Sequence, residues 1–167
     1  MKLLKLFISC VFFLFAGLSH AAETRFDDMY FYQGEEVLKE KEVNFQDFAR
    51  FTRNVQSAVW KALKKVKMPQ SSGYIVVAVR ADQKIAAWLD MEPALHEYYD
   101  AAVTDAVSKL RPFGVSDGIV VFAMKMAVDT PKFTAKAKPD VKDWKDAQKA
   151  AADPGDIEAI VQAAWPE

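Results

Sequence analysis

The chain has 167 residues, 51% of them hydrophobic and 13% aromatic, with 22 basic against 23 acidic side chains. That apolar content excludes a disordered chain. The net charge of −1 gives no general pull toward nucleic acid or anionic lipid, and one cysteine cannot build a disulfide framework or a thiolate metal cage.

Residues 1–21 read as a cleavable secretory signal peptide. Lys2 and Lys5 supply a positive start, Leu6 to Leu18 is apolar apart from Ser9, and Ser19-His20-Ala21 places small residues at −3 and −1 before Ala22. The apolar run is about 13 residues, short of the roughly 20 that span a bilayer. Cys10 lies inside that run and not at its end, unlike a lipidated cysteine. Removal leaves 146 residues, one domain's worth, with 20 basic against 23 acidic side chains and no thiol. The expectation is a soluble periplasmic protein of a Gram-negative envelope. An uncleaved signal anchor is the competing reading.

Residues 22–43 form an N-terminal arm. Phe26 and Met29-Tyr30-Phe31-Tyr32 suit a short strand, and Gln33-Gly34 a turn, before the charged stretch Glu35–Glu42. Over 44–67 the spacing predicts a helix. Asn44 caps it, and Phe48, Phe51, Val55, Val59, Leu63 and Val66 share one face. Alternation over 73–80 and 84–91, about the turn at Asp82-Gln83, predicts a hairpin. A second helix is expected over 93–111, with Pro93 in its first turn and Pro112 as its stop. A strand is expected over 119–128, a loop over 129–139, a helix over 140–152 capped by Asp140, and a last short helix over 156–164.

The order helix, strand, strand, helix, strand predicts an α+β domain over 44–128. In it a three-stranded antiparallel sheet carries two helices on one face (α-β-β-α-β), and 129–167 is a C-terminal helical extension. This core resembles the C-terminal domain shared by TonB and TolA. The resemblance is carried by the run Tyr99 to Leu110 leading into Arg111-Pro112-Phe113, by Val59-Trp60-Lys61 followed by Pro69, and by the hairpin Gly73 to Asp90. Asp82-Gln83 replaces the family's usual Asp-Gly turn, Met91-Glu92-Pro93 replaces its Ser-Gly-Asn, and no long spacer precedes the domain. The resemblance implies partner binding by sheet-edge or groove contact, with the last strand as acceptor.

The candidate docking residues are therefore Ile119, Val121, Ala123 and Lys125 on that strand, with Tyr74 and Trp88 on the sheet face turned from the two helices. An exposed patch there would serve a partner or a second copy of the chain. The competing arrangement covers the edge with the chain's own arm or C-terminal helices. On that arrangement Val141, Trp144, Ile160, Val161 and Trp165 cover the face. The expected partner is an envelope or translocated protein.

Catalytic and metal chemistry are poorly supplied. His96 is the one histidine after the signal, and although Asp100 lies one turn on, an exposed or capping histidine is the better reading. Ser57, Ser71, Ser72, Ser108 and Ser116 lack a nucleophile-elbow context, and no glycine-rich phosphate loop exists. Lys61, Lys64, Lys65 and Lys67 beside Trp60 read as a solvated helix face and not as a nucleic-acid patch. No catalytic residue, metal, cofactor or small-molecule substrate is expected. A periplasmic inhibitor or immunity protein, blocking a toxin or hydrolase with an inserted loop at 112–118 or 129–139, is the alternative function.

Overall fold

A computed structural model describes residues 23–64 and 68–166. The signal peptide expected at 1–21 and the last residues of the first helix, 65–67, lie outside the described residues. The chain is α+β, with an antiparallel sheet and several helices. In order it runs β1 (Thr24–Phe31), α1 (Glu35–Glu40), α2 (Phe45–Leu63), β2 (Ser71–Arg80), β3 (Ile85–Glu92), α3 (Glu97–Ser108), β4 (Ile119–Val128), a 3-10 turn (Lys142–Trp144), α4 (Lys145–Ala150) and α5 (Ile157–Ala163).

The sheet has four strands, not three. Its order is β1-β4-β2-β3, with every neighbouring pair antiparallel. The extra strand is the N-terminal arm. Its alternation was weak because Asp27 and Asp28 interrupt it, and those two residues form a bulge. Phe26 pairs with Met126 and Met29 with Met124, so β1 carries one residue more than β4 between those pairs.

Two layers cover the sheet. On one side α2 and α3 pack through Phe48, Phe51, Val55, Val59, Val103 and Val107 onto Ile75, Val77, Phe122 and Met124. Asn44 starts α2, its side-chain oxygen accepting from the N–H groups of Gln46 (2.9 Å) and Asp47 (3.1 Å). On the other side Tyr74, Val76, Ala86, Trp88, Ile119, Val121 and Ala123 lie beneath Val141, Trp144, Ile160 and Val161. Trp144 is fully buried and stands edge-on to Trp88 at 5.2 Å, an arrangement aromatic pairs favour.

The hairpin turn is built by side chains. Gln83 sits at φ 65°, Gln83 N–H donates to Arg80 O, and Arg80 N–H donates to Lys84 O at 3.0 Å. The Arg80 guanidinium bonds Asp82 and draws its carboxyl down to about 2, while Lys84 N–H also donates to Asp82.

Two helices differ from expectation at their starts. The second begins at Glu97 and not at Pro93, because the Ser71 hydroxyl takes the Pro93 carbonyl at 2.6 Å and His96 becomes the cap. Asp140 does not cap a helix. Its N–H donates to Asp90 at 2.8 Å, and the chain enters α4 through the 3-10 turn.

Candidate functional site

Five of the six residues singled out from sequence are buried, and the sixth, Lys125, is half-buried. Ile119, Val121 and Ala123 are buried, because β4 is an interior strand with β1 on one flank and β2 on the other. Side chains complete its ladder where β1 ends. Val121 N–H donates to Gln33 Oε1 at 2.9 Å, Gln33 Nε2 donates to Ile119 O at 2.6 Å, and Ile119 N–H donates to Glu158 at 2.9 Å. Glu158 is held there by the buried Lys41 ammonium at 2.9 Å. Lys125 is half-buried opposite the bulge, its ammonium 5.8 Å from the Tyr74 ring centre. Tyr74 and Trp88 are only 2% and 5% exposed, since the C-terminal segment covers their face. The Tyr74 hydroxyl donates to Lys136 O at 2.7 Å.

The available edge is β3. The Arg80–Lys84 hydrogen bond sets the alternation of the β2–β3 ladder, so Ala86, Trp88 and Asp90 face their β2 partners Ala78, Val76 and Tyr74. Ile85, Ala87, Leu89 and Met91 must then turn N–H and C=O away from β2. None of these outward groups has a hydrogen-bond partner among the described residues.

They open into a cleft of about 630 Å³, with β3 as its floor. One wall is Leu95 and the α3 residues Asp100, Thr104, Asp105 and Ser108. The other is Asp140 to Asp143 with Trp165 and Pro166. The size is that of a ligand site, but the floor is a strand edge and not a set of converging polar groups.

The rim is acidic. Asp105 pairs with Lys109 at 2.6 Å and Asp140 with Lys145 at 3.6 Å, and Asp90 accepts from Lys136 at 2.8 Å. Asp100 and Asp143 have no ion pair and no side-chain hydrogen bond among the described residues. Burial first, and then the Asp143 charge from the facing wall, raises the Asp100 carboxyl above its ordinary value.

His96 is a cap, its Nδ1 accepting from Tyr98 N–H at 3.2 Å. The hydroxyls of Ser71, Ser108 and Ser116 donate to backbone carbonyls and not to the imidazole. Among the described residues no three His, Cys, Asp or Glu side chains are placed to hold a metal ion. No helix among them is long and apolar enough to cross a membrane.

The hairpin is legible in the sequence, but not that its second strand is an edge, and in the sequence Asp100 stands out only as a neighbour of His96. The one available signal was the pair of carboxylates flanking the stripe of the second helix, Asp100 and Asp105. In comparisons with protein-family models, curated proteins and solved structures, the chain matches none of them.

Proposed function

We propose that this chain is an exported protein-binding module of the cell envelope, one that takes an extended segment of another protein onto the edge of β3. The observation that carries this reading is the row of outward backbone groups at Ile85, Ala87, Leu89 and Met91, opening into a cleft of about 630 Å³. A strand laid beside β3 would sit about 4.8 Å away and satisfy those groups. Each backbone hydrogen bond contributes about 0.5–1.5 kcal/mol net, so four residues of pairing support a specific though reversible complex. The resemblance to the TonB and TolA C-terminal domain agrees with partner binding of this kind, transferred from the last strand to the hairpin's second strand. Binding without chemistry agrees with the capped His96 and the scattered serines.

An inhibitor would need a projecting loop. Phe113 and Val115 are buried, and Lys136 fastens 129–139 to the sheet through Asp90, so neither loop favours that function.

A photo-crosslinking residue placed at Leu89, at Val121 or at Asp27, in cells of the native host, tests the reading. Expected are adducts from position 89 in the periplasmic fraction and none from position 121. Adducts from Asp27 alone would move the docking edge to β1 and overturn the assignment.

A further inference from the structure

The reading just proposed leaves open what sort of segment the cleft takes. The chemistry of its walls narrows this. Of the carboxylates that line it, Asp90, Asp105 and Asp140 each have a lysine from the chain itself. Asp100 on α3 and Asp143 on the opposite wall have none among the described residues, and Lys142 is the cleft's one lysine. The two line the same cleft, one on α3 and the other on the C-terminal segment across the strand edge. Like charges lining one cleft repel each other, and a cation between them offsets that repulsion. Side chains of a strand paired with β3 project alternately toward the α3 wall and the C-terminal wall, so the head group of a long basic side chain on either face can reach this gap.

We infer that the segment bound at β3 is basic: an extended stretch of a partner protein carrying lysine or arginine, with its cationic head group between Asp100 and Asp143. This rests on strand addition at β3. An acidic segment would add a third negative charge to the gap, and a neutral one would leave the two carboxylates opposed.

The test uses acetylated octapeptides of alternating threonine and valine, N-methylated along the far edge to stop self-stacking. Their two central residues are Arg-Lys, Gln-Gln or Glu-Glu. Affinity is measured by calorimetry on the mature chain, and hydrogen exchange of the Ile85, Ala87, Leu89 and Met91 amides is followed by NMR. Expected is binding of the Arg-Lys peptide about tenfold or more tighter than the Gln-Gln one, with the Glu-Glu peptide weakest. Slowed exchange at all four amides accompanies it, and the Arg-Lys advantage is lost in D100N/D143N. Equal binding of the three peptides with slowed exchange keeps the β3 edge and overturns the basic-segment inference. Preferential Arg-Lys binding with exchange unchanged overturns strand addition, and this inference with it. No binding by any peptide overturns the inference as well. Leu89→Pro removes one outward N–H without touching a β2 bond and should abolish binding. The exchange readout on the unmutated chain decides the matter if that variant does not fold.

Discussion

The sheet has two edges, and they are treated in opposite ways. β1 is broken by a bulge at Asp27 and Asp28, which puts two carboxylates on its outer course and bends it away from a straight template. This is how edge strands avoid pairing with stray chains. β3 pairs with β2 without a register break from Ile85 to Glu92, and its four outward residues Ile85, Ala87, Leu89 and Met91 carry no charge. It is screened only by the walls of the cleft. One edge is blunted by its own sequence, the other only by the walls that flank it.

The contrast can be broken most severely from the interior. Val121, fully buried in β4, was expected on an edge, whereas Leu89 lies on one and is half-exposed. Val121→Lys should cost about 3–5 kcal/mol by leaving an unpaired charge in the core, while Leu89→Lys should stay within about 1 kcal/mol. Urea unfolding monitored by tryptophan fluorescence separates the two.

The protection of β1 is tested by deleting Asp28. The deletion removes the bulge, keeps the flanking register with β4 and straightens the edge. Sedimentation should show self-association strengthened by about tenfold, or 1.4 kcal/mol.

A comparable effect follows at Asp90 on the cleft floor. Lys136→Ala leaves the buried Asp90 carboxylate with the Asp140 N–H alone and should cost about 1–2 kcal/mol. The hydrogen bond to Asp90 raises the Lys136 pKa above its usual 10.5. The contribution should therefore be fully present below that pH and fade as pH rises through the raised value. Denaturation of wild type and variant across the alkaline range would show the two curves converging.

The smallest change sharpens the account of the cleft itself. The Asp100 pKa is raised on folding, so its ionisation works against the native state at neutral pH, and stability returns as pH falls through the raised value. Asp100→Asn should raise Tm by about 1–3 °C at pH 7 and lose that advantage in acid. An unchanged difference across pH would mean that Asp100 carries no such cost.

The elements themselves were legible. Asn44 with the stripe from Phe48 to Leu63 marked α2, and the alternation about Asp82-Gln83 marked the hairpin to within two residues at each end. The strand at Ile119–Val128 was read with the same bounds. These are local signals, set by side-chain period, capping and turn chemistry within a few residues. The start of α3 was misread because Pro93 favours a first helical turn, while a hydroxyl 22 residues earlier, on Ser71, takes its carbonyl.

The sequence by itself determined the long helix after Asn44, the hairpin and the strand at Ile119–Val128, and which apolar residues had to be covered. Tertiary structure alone decided which strand is an edge. That depends on Thr24–Phe31 crossing about a hundred positions of chain to pair with β4, and on Val141, Trp144, Ile160 and Val161 folding over the far face. A strand's period records that it has two faces, but its two flanks carry the same backbone groups whatever lies beside them. Edge status is therefore invisible in any one segment and exists only once the whole sheet is assembled.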